Sequence, residues 1–215
     1  MFRSFAPAHV RLLAPLALLT IFWNAQATQA KPPAQCRGLG VDGGAADSTH
    51  NVGTPKAKSC NTRMSHGFPI PDPSCTPGAV NPTLTTEVLT NPTFRTSCVR
   101  DAATTAQEKT KTYLWYNIKH PANNTGATQT CELDHLISLE IGGGDTLDNI
   151  WPQCGPKGVA LRNRYFKQKD IVENYLAAQI KAGKMKLADV QKGIAEDWTQ
   201  YLDDASKACP PGKCK

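Results

Sequence analysis

Cys131-Glu132-Leu133-Asp134-His135-Leu136-Ile137-Ser138-Leu139-Glu140-Ile141-Gly142-Gly143 and, a few residues on, Asn149-Ile150-Trp151-Pro152-Gln153 decide how this chain is read. Cys131 to Leu139 reads as a strand running into a turn. Gly142-Gly143-Gly144-Asp145 predicts a flexible loop, because glycine reaches backbone angles closed to other residues. Asn149 to Pro152 returns to extended structure and stops at proline. Cys131 and Cys154 bracket this hairpin, and we expect them to bond across it.

Downstream, a long helix is expected to start between Val159 and Arg162 and to end at Gly183. Its apolar seam is Leu161, Tyr165, Val172, Leu176 and Ile180, spaced by four or seven and therefore on one face. A second helix is expected from Leu187 to Asp204, burying Val190, Ile194, Trp198 and Leu202. Upstream, Ala102 to Ile118 has helical composition, with Tyr113, Trp115 and Tyr116 more suited to burial than to stacking on bases. Leu84 to Val99 alternates loosely and suggests one or two short strands. Lys31 to His66 lacks apolar periodicity and reads as irregular, partly disordered chain.

The first thirty residues run from basic (Arg3, Arg11) through apolar (Leu12 to Trp23) to small, with Ala25-Gln26-Ala27 and Thr28-Gln29-Ala30 as cleavage sites. That order predicts a secretory signal peptide and a secreted or periplasmic protein. No other segment is apolar enough to cross a bilayer, so no membrane partner is expected. The expected organisation is a leader over 1–30, an irregular extension over 31–65, a single domain over 66–205 and a tail over 206–215. All eight cysteines follow the leader, and an even count in an exported chain favours disulfides. Zinc is the alternative, but no C-x-x-C pair is present to seed its site.

The formal charge of +6 falls to +4 without Arg3 and Arg11, too little to imply a polyanion by itself. Its distribution says more: 157–186 holds eight Lys or Arg against Asp170 and Glu173. Arg162, Arg164, Lys167 and Lys169 sit toward the start of the long helix, where cations oppose the helix dipole. Contact with nucleic-acid phosphates would account for them, as would a solvated helix face.

Asp134-His135 alone is a weak signal. Joined to Glu132, Leu139, Gly142-Gly143, Asn149, Trp151-Pro152-Gln153 and Lys169-Asp170 with Glu173-Asn174, it resembles the HNH nuclease superfamily. The match is to small exported proteins with the pattern E-x-D-H-x-x-x-L-x-x-G-G, N-L-W-P-Q and K-D-x-x-E-N. Ile150 stands where that pattern has leucine. The resemblance covers about residues 66 to 201, including Asp72 to Ala79 and Ser97-Cys98, which resembles the family's disulfide loop. It implies an α+β fold with a ββα-metal hairpin-plus-helix core, further helices and disulfide-stapled loops. Cys75 with Cys98 is the second expected bridge and Cys209 with Cys214 a third.

The resemblance also implies roles. His135 would be the general base, since a neutral imidazole accepts a proton near neutral pH. Asp134, on the opposite side of the extended segment, would bind the metal. Asn149 would tie the two strands and hold His135 in place, although asparagine is also a common turn residue. Many HNH enzymes carry a further metal ligand on the helix, and no histidine follows His135 here. Asn163, Asp170, Glu173 and Asn174 are the candidates, with Asp170 and Glu173 preferred. An ordinary Lys169–Glu173 ion pair is the alternative. Oxygen ligands favour Mg2+, with Mn2+ or Ca2+ next.

The expected function is an exported, metal-dependent endonuclease acting on DNA, or RNA, with little sequence specificity. The competing expectation is a catalytically inactive, disulfide-rich binding protein on the same fold. No protein partner is implied.

Overall fold

A computed structural model describes residues 34–47, 53–101, 104 and 106–209; the expected leader and Cys214 lie outside these. The fold is mixed α+β, with two small antiparallel hairpins and several helices. β1 (Arg63–Ser65) pairs with β2 (Phe68–Ile70). The turn between them places His66 and Gly67 at φ 47° and 82°, the double left-handed conformation of a tight two-residue hairpin. β3 (Cys131–His135) pairs with β4 (Ile150–Cys154), with Asp134 opposite Trp151 and His135 opposite Ile150.

Between the hairpins lie α1 (Thr86–Thr90) and α2 (Ala106–Trp115); after β4 come α3 (Tyr165–Lys181), α4 (Leu187–Asp197) and α5 (Leu202–Ala208). Short strands were expected over 84–99, but the chain there forms α1 and a single 3-10 turn, Thr96–Val99. Thr85 caps α1 by accepting from the Val88 amide, a local signal that outweighs loose alternation.

The second expected helix is divided. Asp197 leaves helical geometry (φ −162°) and its carboxylate accepts from the Thr199 amide and hydroxyl. A 3-10 turn, Trp198–Tyr201, links the halves, and Val190, Ile194 and Trp198 remain buried as the periodicity required. They form the main core with Val172, Leu176 and Ile180 of α3. Trp198 donates its indole N–H to the Pro69 carbonyl, which seats the first hairpin on this core. Tyr113, Trp115 and Tyr116 are buried, the last two packing with Trp151, Leu136 and the Cys60–Cys75 bridge. Among the described residues, no helix is long and apolar enough to cross a membrane.

Among the described residues, three disulfides are formed. Cys131–Cys154 closes the ends of the β3–β4 hairpin, with Cα atoms 4.0 Å apart. The expected Cys75–Cys98 bridge is replaced by Cys60–Cys75 and Cys36–Cys98. The reason is that Cys75 and Cys98 belong to different apolar clusters, one under α2 and β4, the other around Leu84, Leu89 and Leu139. Cys209 is also disulfide-bonded.

Ala34 to Asp47 is irregular apart from the 3-10 turn Ala34–Cys36, yet it is anchored, and β1 also falls inside the 31–65 stretch expected to be irregular. Cys36 bonds to Cys98, Leu39 and Val41 pack on the Leu84–Leu89 cluster, and Asp47 bridges Val80. Gly43 lies so close to the Arg100 backbone that a Cβ would stand 2.7 Å from its carbonyl oxygen.

Candidate functional site

β3 brings Asp134 and His135 to a cleft of ≈ 330 Å³. Its walls include Glu132 from the same strand, Glu140 from the following turn, Asp170, Glu173 and Asn174 from α3, and Arg100 from the segment after Cys98. The side chains of Asp134 and His135 are 9% and 12% exposed, so both are largely desolvated but neither is sealed from the cleft. The two neighbours find their partners in different directions, Asp134 on α3 and His135 in the glycine loop.

On the α3 side, Lys169 is the cation set among the acids. Its ammonium lies 2.9 Å from Asp134 Oδ2, forms an ion pair with Glu173 and donates to the His135 carbonyl at 2.6 Å. The side chain is wholly buried, so its expected contact with nucleic-acid phosphates is corrected. Lys169 stands three after Phe166 and three before Val172, on the helix face that packs inward. Arg164 is likewise buried and donates to the Pro156 carbonyl, which removes it from the expected phosphate-binding set. Lys167 is ion-paired with Asp170 at 2.7 Å and lies 3.7 Å from Glu132. Of the four expected phosphate contacts, Arg162 is exposed.

Burial raises the Asp134 carboxyl above its usual range even though Lys169 opposes the shift. Burial likewise pushes Glu173 well up, and Glu132 rises by burial and by the nearby carboxylates of Asp134 and Asp170. Asp134 Oδ2, though close to the ammonium, is buried without a well-aimed hydrogen bond. The cluster is therefore short of positive charge and of donors at one atom.

On the loop side the geometry is saturated. His135 Nε2 lies 2.8 Å from Asp145 Oδ1, and the same oxygen accepts from Lys109 of α2 at 2.7 Å. Asp145 Oδ2 accepts from the Asp101 amide at 3.0 Å, and the Arg100 guanidinium stands 3.6 Å from Oδ1. Burial would raise this carboxyl, but the bonds from His135 and Lys109 outweigh it and bring it down to about 2. Burial lowers the His135 imidazole against the pull of Asp145, which favours its neutral form. Asp145, Lys109 and Arg100 were absent from the expected site, and no short-range pattern joins them to His135.

Asn149 is fully buried and does not line the cleft; it fastens the end of β3 to the glycine loop rather than facing the site. Its side chain accepts from the Ile137 amide and donates to the carbonyls of Ile137 and Gly144, each within 2.9 Å. The glycine loop expected to be flexible is pinned by these bonds and by pairing with the strand-like segment around Val80. Gly143 is obligatory there, since a Cβ would fall 1.8 Å from the Ile137 carbonyl oxygen. Gly142 takes φ 85°, a left-handed conformation suited to glycine.

Among the described residues, no group of three or more His, Cys, Asp or Glu is arranged to hold a metal ion by itself. Comparisons with protein-family models, with curated proteins and with solved structures find no match.

Proposed function

We propose that this chain is an exported, metal-dependent endonuclease of the HNH, ββα-metal type, hydrolysing nucleic-acid phosphodiester bonds in DNA with little sequence specificity. The observation that carries the reading is the cleft itself. It sets a buried, neutral-leaning imidazole beside an under-bonded carboxylate, each fixed by a different structural element.

The residues fit a hard divalent cation such as Mg2+ in one specific way. Asp134, with its unsatisfied Oδ2, would be the principal ligand, and Glu173 and Asp170 are the next carboxylates on α3. Mg2+ commonly takes one or two carboxylates and completes its shell with water and substrate phosphate, so an all-protein cage is not required. When bound, the cation supplies charge compensation at the phosphate and the departing oxygen. His135 accepts the proton of the attacking water, and Arg100 on the cleft wall is placed to meet a phosphate oxygen. The disulfides support export, as does the leader-like order of residues 1–30.

One observation favours a second reading. Lys169 already supplies a positive charge between Asp134 and Glu173, as in an inactive, disulfide-rich binding protein that keeps the hairpin and helix. Cleavage of circular DNA separates the two. The nuclease reading expects nicking with Mg2+ or Mn2+, loss in EDTA, and a drop of roughly 10²-fold or more in His135→Ala. Equal inertness of wild type and variant in every metal would establish the second reading.

A further inference from the structure

We propose that Asp145 is the positioning residue of the catalytic histidine: its carboxylate holds His135 as the Nε2–H tautomer and leaves Nδ1 to take the proton of water. The inference rests on the nuclease reading and names the nitrogen that performs its chemistry.

A carboxylate only accepts hydrogen bonds, so the 2.8 Å contact requires the proton on Nε2. His135 Nδ1 has no hydrogen-bond partner among the described residues. The carboxylate is not a mobile surface group that happens to lie near the ring. Asp145 is 1% exposed and both oxygens are bound, Oδ1 by His135 and Lys109 and Oδ2 by the Asp101 amide. Its backbone follows the loop that Asn149 fastens through Gly144, and the Asp101 amide follows the segment anchored by Cys36–Cys98. Two remote parts of the chain thus hold one oxygen against one ring nitrogen.

In the step this arrangement serves, water gives a proton to Nδ1 while its oxygen forms the new bond to phosphorus. The bond from phosphorus to the leaving oxygen breaks, and that oxygen takes a proton from solvent. Asp145 does not change protonation; it stabilises the imidazolium that forms, as an orienting carboxylate does in other histidine sites.

The test reads the tautomer directly. Nitrogen-15 correlation spectra of the imidazole in the intact protein, without substrate, are expected to show Nε2 protonated and Nδ1 as the acceptor. In Asp145→Asn the side-chain amide can donate to Nε2, so the Nδ1–H tautomer should appear. On circular DNA kcat should fall by about 10²- to 10⁴-fold, with KM within about twofold. Lys109→Met should keep the wild-type tautomer, because His135 still reaches Oδ1. A wild-type spectrum with Nδ1 protonated would overturn the proposal even if Asp145→Asn failed to fold. So would an Asp145→Asn protein with unaltered tautomer and kcat, or a Lys109→Met protein that shows the Nδ1–H tautomer. A wild type inert on all nucleic acids would instead remove the nuclease reading, while the spectra would still decide what Asp145 does to the ring.

Discussion

Two lysine-bound carboxylates flank the same strand end, and they are opposites. Asp134 faces Lys169 of α3, inside a group of acids, with one oxygen lacking a proper donor; burial dominates and its proton affinity rises. Asp145 faces Lys109 of α2, with His135 and a backbone amide as further donors; hydrogen bonds dominate and its proton affinity falls. Both are nearly inaccessible, so exposure does not distinguish them. The number of donors does. An under-bonded carboxylate in a cleft can gain from an additional cation, whereas a saturated one can only hold its neighbours still.

The largest expected effect breaks the first of these groups. Lys169→Ala leaves Asp134 and Glu173 buried without their cation and should lose about 3–5 kcal/mol in urea denaturation. Lys109→Ala should lose no more than about 1–2 kcal/mol, because Asp145 retains the bonds from His135 and Asp101. Equal losses would contradict the contrast just drawn.

Next in size is the clamp that both groups share. Replacing Cys131 and Cys154 together by alanine opens a bridge of sequence separation 23, worth about 3 kcal/mol in chain entropy, and should lower the urea midpoint accordingly. Full stability in that variant would mean that pairing of β3 with β4 needs no covalent help.

Acid unfolding sharpens the comparison further. The Asp145 carboxyl sits at about 2, below its ordinary 3.8. It therefore contributes stability above pH 3.8 that is lost as pH falls through that value toward 2. The amount is about 2 kcal/mol, and Asp145→Asn should flatten this limb of the stability profile. A limb unchanged by the substitution would show that Asp145 has no such advantage in the folded state.

The smallest effect concerns the exposed cation at the head of α3. Arg162→Ala should weaken nucleic-acid binding by only a few-fold and reduce the salt dependence by about one ion. A sequence-dependent loss in filter binding would instead assign Arg162 to base contact.

The strand, the loop and the return strand around Asp134 and His135 could be read from the chain because each is encoded within a few residues. Glycines mark the turn and two cysteines bracket the pair, whereas the stop expected at Pro152 is overrun, because β4 continues in register to Cys154. The buried side of α3 was equally local, and Lys169 lay within reach of the same reasoning. It stands four after Tyr165 and three before Val172, filling the gap in the apolar seam. Judging it by charge rather than by position put it on the surface. Arg164 was misread for a related reason, since its guanidinium bonds a carbonyl in the preceding loop. The division between α4 and α5 turned on a single aspartate competing with the helix for backbone amides, which apolar periodicity does not register.

Residue order alone determined the hairpin, the following helix and the presence of an acid beside a histidine, because strand alternation and helical period are short-range properties. Only the folded chain decided what those two groups face. Asp145 reaches His135 across ten residues, Lys109 comes from α2, and Cys36 takes the place expected of Cys75 at Cys98. Such pairings depend on which distant surfaces share a core, and no local pattern records that.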